Sequence, residues 1–323
     1  MQAVLFAALV AAVVVAFAGL IPGTGERLRE ASPGWIALEI VLEIAACAAY
    51  GVLFQRVFSH GAHRLRARRG AQIGIAELGA FVIVPTGAGG PAVRIWALER
   101  SGMPFRVVMS RSVIHGAVFN LPYVLAAILL GAGAALGVGS GHAPVPVALA
   151  PLGLVAATVG IAGAATVGAR RLPRAPRSRW SRIGSDIIRA VPDGLRKLPA
   201  RLREPGLSLG AFAYWAGDCG VFIAAFHAAH GAPPIAVAVL AYMLGQLGNA
   251  LPLPGGVGGV EPITLGVLTA SGVNLELGAA AVILYRLVSL GIQTAAGAIA
   301  LATLIRALRS PDPDAAVEPQ AAT

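Results

Sequence analysis

The sequence predicts an all-α polytopic membrane protein, with about six full transmembrane helices and two Gly/Pro-broken re-entrant hairpins arranged as an inverted repeat. Three observations carry this. Of 323 residues, 57% are hydrophobic and only 12% charged, about half the charge of a typical soluble domain, and the mean hydropathy is +0.76. Polar side chains are too few to cover a water-soluble globule, and the hydrophobicity excludes intrinsic disorder. Apolar runs of about 20 residues, the length that crosses a bilayer, recur along the chain. Most of the basic residues fall between those runs or at their edges, not in their middles.

In order, residues 1–21 are apolar throughout and carry no Lys or Arg. They read as a retained helix, since a signal peptide has a basic start and a shorter apolar core. A second span covers about 34–55. The run 71–99 is apolar but broken by VPTGAGGPAVR. Helices are expected at about 110–136 and 145–169, then a polar Arg- and Pro-rich stretch at 170–205, then a span at about 206–230. A second broken run, 233–272, is interrupted by LPLPGGVGGVEP, and a last span covers about 276–306. The arms of each broken run fall short of a full span or barely reach one. Irregular backbone at membrane depth is tolerated only where protein or a water-filled cavity covers it, so each run is expected to enter and leave on the same side. One integral membrane domain therefore covers 1–309. Its halves, about 34–169 and 206–309, are joined by the 170–205 segment, and 310–323 reads as a disordered tail.

The net charge is +10, and 24 of the 25 basic residues are Arg. Segments 56–70, 100–111, 170–205 and 306–309 hold 21 of these 25. Six spans put all four segments on one side, and the positive-inside rule makes that side the cytoplasm. The expectation is a multi-pass protein of the cytoplasmic (inner) membrane with both termini cytoplasmic. Its basic charge then meets membrane phospholipids, not nucleic acid. Within 170–205, apolar and basic residues alternate helically but are interrupted by Pro192 and Pro199. An amphipathic element on the inner leaflet, a solvated connector and a dock for a cytoplasmic protein partner all stay open, as does a homo-oligomer.

The two broken runs resemble each other. PTGAGG (Pro85–Gly90) aligns with PGGVGG (Pro254–Gly259), and Ser101-Gly102 with Ser271-Gly272, at nearly constant offset. Three spans lie between the runs, so the halves are expected to be inverted and their glycine turns to meet near the midplane. That is a common build of transporters with mid-depth sites. Freed backbone N–H groups at Gly89, Gly90, Gly255, Gly256 and Gly258, with Pro254 shaping the second turn, would suit an anionic head group. Glycine used for close helix packing is the alternative.

Ionisable residues inside the membrane are expensive and by default functional. Arg94 and Arg286 are candidates to hold lipid phosphates, one per half, with Glu261, Tyr285 and Asp218 beside them. Asp218 and Glu261 are the expected partners of Arg286, and a purely structural ion pair stays open. Glu39 and Glu43, one turn apart, join Glu77 and His115 as a possible charge relay. Enzyme motifs are missing: no HExxH, GxSxG or P-loop occurs. Ser110-Arg111…His115 is a poor fragment of a lipid-phosphatase pattern, and Gly139-Ser140-Gly141-His142 reads as a turn. Cys47 and Cys219 make no disulfide framework or metal motif. No catalytic activity, metal or cofactor is expected.

The stretch from Leu251, LPLPGGVGGVEPITLGVLTASGV…AAAVILYRLVSLGIQTAAGAIAL, resembles the transmembrane region of the lysylphosphatidylglycerol synthase family. The matching motif is PGG(x)G-x-x-E followed by a helix, a turn and a helix with Tyr-Arg. Here it is Pro254, Gly255, Gly256, Gly258, Glu261, Tyr285 and Arg286. The first broken run fits more loosely through P-x-G…R, with Arg94, and LERSGMP. It departs from the family at Pro91 and Ala92, where Gly-Glu is usual, and at SRSVIHG. The resemblance implies a flippase-like domain that translocates or handles an anionic or amphiphilic lipid. Because the sequence ends shortly after Arg309, aminoacylation is not expected. A proton-coupled transporter of a small polar solute and a non-catalytic membrane partner of a cytoplasmic enzyme are the alternatives.

Overall fold

Proline and glycine set the helix boundaries. The structure is a computed structural model that describes residues 19, 21–60, 64–84, 87–135, 145–172, 178–251 and 253–309. Among these, every regular element is helical: α1 (Thr24–Arg29), α2 (Pro33–Phe58), α3 (Ala67–Ile83), α4 (Gly89–Arg100), α5 (Phe105–Ala135), α6 (Val145–Arg171), α7 (Arg179–Leu202), α8 (Pro205–Ala228), α9 (Ile235–Gly245), α10 (Val260–Ala270) and α11 (Leu275–Arg309). Pro33 and Pro205 open α2 and α8, where the missing N–H costs no hydrogen bond. The expected helix at 1–21 lies almost wholly outside the described residues. So do Pro85, Pro252, the 139–142 turn and the tail.

Four helices, α2, α5 (Phe105–Leu130), α8 and α11, are long and apolar enough to cross a membrane. α6 supplies a further apolar helix where the sequence predicts a span. Both broken runs are broken as expected: α3 and α4 part at 84–88, and α9 and α10 are separated by tight turns over Gln246–Ala250 and Pro254–Gly256. The outer surface is oil-like. Val41, Ile44, Leu129, Val159, Ile161, Leu209 and Ile299 are each more than half exposed. In water so many exposed apolar side chains would be an aggregation liability; in a bilayer they meet lipid.

α2 packs along α8, and α11 packs along α3 and crosses α2 and α8. Two apolar cores result. One joins the C-terminal half of α2, α3, α4, the start of α5 and the end of α11 around Phe54, Phe58, Leu98 and Leu304. The other joins the C-terminal half of α8, α9, α10 and the start of α11 around Phe222, Phe226, Leu244 and Leu268. Each broken run thus has its own core, at opposite ends of α11. The closest approach is glycine on glycine: Cα of Gly79 on α3 faces Gly297 on α11, and a methyl on either would collide with the other's backbone. This is the close small-residue packing that apolar helices use where hydrophobic force is unavailable.

Within the 170–205 segment, Arg179–Leu202 is helical, as the amphipathic reading of that stretch has it. α7 runs through Pro192 and Pro199 and lies along α5 and α6. A reciprocal Ser178/Ser181 capping box starts it, satisfying two of its free amides. Its last turn holds Arg201, only 5% exposed. This guanidinium donates to the Arg56 carbonyl at the end of α2 (2.8 Å) and to Glu204, and contacts His60 Nδ1 at 2.8 Å. Arg111 from α5 donates to the Phe58 and His60 carbonyls. Two arginines thus cap the C-terminus of α2, where carbonyls lack helical partners and the dipole favours cations. Burial, then the Arg201 charge, pushes the His60 imidazole below its ordinary range. It stays neutral and accepts. Packing along α5 and α6, with the Arg201 anchor on α2, offsets the two hydrogen bonds lost to proline.

Replacing Gly297 by Val should destabilise the protein by about 2–3 kcal/mol through overpacking, read as an earlier thermal unfolding transition in detergent. Gly291→Ala, with nothing within 4 Å of the added methyl, should leave the transition in place.

Candidate functional site

α2 is apolar outside and polar inside. Leu38, Ile40, Val41, Ile44 and Val52 face outward, while Glu39, Glu43, Cys47, Tyr50 and Phe54 are buried. The buried set recurs every three or four residues, which puts it on one helix face. That face looks onto α3, α8 and α11. α11 answers with Arg286, Ser289, Gln293 and Gly297, all buried and again on one face.

The first broken run holds its charges as a closed pair. Arg94 on α4 donates Nε to Glu77 Oε2 at 2.9 Å and Nη2 to Glu77 Oε1, a two-pronged arrangement that fixes geometry as well as charge. Tyr50 OH adds a hydrogen bond to Glu77 Oε1 at 3.1 Å. The guanidinium carbon lies 5.8 Å from the Phe58 ring centroid, within cation–π range. His115 is 3% exposed, ringed by Tyr50, Phe54, Phe58 and Phe119. Its Nε2 has no hydrogen-bond partner.

The second run is held by a matching pair with a different wiring. Arg286 Nε donates to Glu261 Oε1 at 2.8 Å, and its Nη2 donates to the Gly255 carbonyl. Glu261 Oε2 accepts from Gly258 N at 2.7 Å. Gly255, Gly256 and Gly258 have φ of 58°, 65° and 87°, a left-handed path that only glycine follows without strain. The pair therefore grips both sides of the glycine turn. Glu261 also lies in the first turn of α10, where the helix dipole favours a carboxylate. In the first run the Glu precedes the break and the Arg follows it. In the second the Glu follows the break and the Arg comes from the next helix. The sequence similarity of the glycine turns does not extend to the ion pairs.

Asp218 is placed differently from the expectation that it pairs with Arg286. Its carboxylate accepts from Tyr242 OH and from Tyr285 OH at 3.1 Å. Arg286 is close enough to act on it electrostatically but is already spent on Glu261 and Gly255. Gln246 Nε2 donates to Tyr285 OH at 3.2 Å, and Asn249 Nδ2 to Gln246 Oε1 at 2.7 Å. On α2, Glu43 Oε1 accepts from Gln293 Nε2 at 2.9 Å. Gly89 and Gly90 are buried at the start of α4 against Ala80, Val84 and Glu77. The two runs touch through Val82 and Val257, with Leu290 of α11 in the same cluster.

Of the sequence candidates, the structure brings together Glu77 with Arg94, and Glu261, Arg286 and Tyr285 with the glycines of the second turn and Asp218. Glu43 lies beside Asp218, and neither Glu39 nor Glu43 hydrogen-bonds a member of either ion pair. Sequence reasoning missed Tyr50, Tyr242, Gln246 and Gln293. Helical spacing points to two of them: Tyr50 is seven residues from Glu43, and Gln293 seven from Arg286. Tyr242 and Gln246 carry no such signal.

A model of the lysylphosphatidylglycerol synthase TM region matches residues 4–297. The chain belongs to this family. It is a membrane protein, as its apolar helices already require. No curated protein matches the chain. In this family member, the Pro254–Glu261 turn and the Tyr285-Arg286 pair, which carry the resemblance in the sequence, are joined directly in space.

Removing one member of the second pair strands a buried charge. Arg286→Met should cost about 3–5 kcal/mol. The double variant with Glu261→Gln should cost clearly less than the sum of the singles, measured by thermal unfolding in a double-mutant cycle.

Proposed function

We propose that the protein is a flippase-like lipid handler of the cytoplasmic membrane, with no catalytic centre of its own. The two broken runs act as re-entrant hairpins from opposite faces in an inverted repeat. Six spans and cytoplasmic termini complete the topology. The reading rests on one observation above all. A Glu–Arg pair holds each of two helix breaks inside a lipid-facing bundle, and the end of α3 packs on the second glycine turn through Val82 and Val257. The separate core of each broken run, at opposite ends of α11, supports the inverted arrangement.

The chemistry follows from what an arginine can exchange. A lipid phosphate offers a guanidinium the same two-oxygen geometry that a carboxylate does. A head group entering between the tips takes Arg286 from Glu261, or Arg94 from Glu77. The displaced carboxylate then pairs with the ammonium of a zwitterionic head group or takes up a proton, which keeps the site near neutral. Gly255 loses its Arg286 bond in that exchange, so the turn is free to open as the head group arrives. Membrane phospholipids are the ligand class.

The test is translocation of fluorescent phospholipids in proteoliposomes. Arg286→Ala and Glu261→Ala proteins that remain folded should translocate at least tenfold more slowly than wild type. Rates equal to wild type would overturn these residue roles, and absence of translocation in the wild type for anionic and zwitterionic lipids alike would overturn the function.

A further inference from the structure

The two ion pairs leave three buried carboxyl groups without a cation of their own. Glu39 and Glu43 are fully buried on α2, and Asp218 is 3% exposed on α8. Both oxygens of Glu39, and Oε2 of Glu43, are buried with no hydrogen-bond partner. Gly217 of α8 packs on Leu42 and Ala46 of α2, and this close contact sets Asp218 beside Glu43, near enough to act on each other.

The donors around them are distributed unequally. Asp218 accepts two phenolic O–H groups, from Tyr242 and Tyr285, which suits a carboxylate. Glu43 accepts the Gln293 amide and the Cys47 thiol (3.6 Å) on Oε1 only. Its Oε2 has nothing to accept. A carboxylate oxygen in that position is neither solvated nor bonded, and two adjacent carboxylates repel strongly away from water. A proton on Glu43 Oε2 removes both costs and finds its acceptor in Asp218. Among the described residues, the groups facing the pair are Cys47 from α2, Tyr214 and Cys219 from α8, Tyr242 from α9, and Tyr285, Arg286, Ser289 and Gln293 from α11, with Glu39 one turn before Glu43. Among these Arg286 is the one cation, and Glu261 holds it.

We propose that Glu43 and Asp218 hold one exchangeable proton between them, and that its uptake and release drive the cycle of the second glycine turn. The link is covalent and short. Tyr285, which donates to Asp218, adjoins Arg286, which grips Gly255 and Glu261. Tyr285 also accepts from Gln246, whose partner Asn249 lies against Gly256. With the proton in place the pair carries one negative charge, and Arg286 stays on Glu261. When Glu43 releases the proton, two carboxylates compete for Arg286. The guanidinium shifts toward them, and Gly255 and Glu261 are let go. Reprotonation of Glu43 from water restores the grip. The coupling to lipid movement rests on the function proposed above; the proton site itself does not.

The site is tested without transport first. The folded state holds a proton that the unfolded chain gives up, so wild-type thermal stability in detergent should fall as pH rises. Glu43→Gln, which keeps the shape, should flatten that dependence. Difference infrared spectra should show a protonated-carboxyl band that Glu43→Gln removes and Asp218→Asn shifts. An unchanged band and an unchanged pH dependence in Glu43→Gln would overturn the site. So would stabilisation of wild type, but not Glu43→Gln, by sodium over choline chloride, which would make it a cation site. Should Glu43→Gln not fold, Glu43→Asp and Asp218→Asn carry the same readouts. In proteoliposomes, an imposed pH gradient should change wild-type phospholipid translocation at least fivefold and leave Glu43→Gln unresponsive. Translocation that ignores the gradient overturns the coupling. No translocation at all, with the infrared band present, overturns the lipid function and leaves the proton site standing.

Discussion

A charge inside an apolar bundle must find its counter-charge inside that bundle, because lipid offers none. The Glu261–Arg286 pair meets this demand and does a second job with the same atoms. The guanidinium satisfies the Gly255 carbonyl, and the carboxylate satisfies the Gly258 amide. A left-handed glycine path frees backbone groups that no helix can bond, and the ion pair absorbs them. Without the pair the turn would expose unsatisfied peptide groups at depth. Without the turn the pair would have excess donors and acceptors. The position of α10, the close of α9 and the start of α11 all depend on this mutual satisfaction.

The rest of the architecture reverses the soluble-protein pattern along single helices. α2 sends its branched apolar side chains outward and collects acids, a thiol and a phenol on the inner face. α11 does the same with Arg286, Ser289 and Gln293. The interior is therefore a polar seam through an apolar shell. α7 belongs to neither part. It is anchored at one end by a buried arginine that caps another helix, and its remaining cationic face lies outside the seam.

Much of this was legible in the sequence, for identifiable reasons. Long apolar runs placed α2, α5, α6, α8 and α11, because hydrophobic length is a strong signal at bilayer scale. The glycine clusters marked both breaks, since only glycine takes those backbone angles. Glu261 and Arg286 were legible as a pair because opposite charges at similar depth have few other choices. Asp218 was misdirected to Arg286 for the same reason. Charge alone cannot show that two tyrosines, one of them 67 residues away, supply its hydrogen bonds. The continuity of α7 was hidden too. Proline is a strong local breaker, and the burial of Arg201 that overrides it is a tertiary fact. The different wiring of the two ion pairs was invisible, because the glycine turns align while the pairs do not.

The crossing of Gly79 and Gly297 has a mechanical consequence. α11 carries Arg286 near one end of its buried face and Gly297 three turns further on. At that lower point nothing but backbone separates it from α3, so the contact has no side-chain slack to absorb a displacement. Any roll of α11 about its long axis that moves Arg286 would also push on α3, and with it on Glu77. The helix works as a shared axle: the two breaks are geared to one shaft and are not free to open independently.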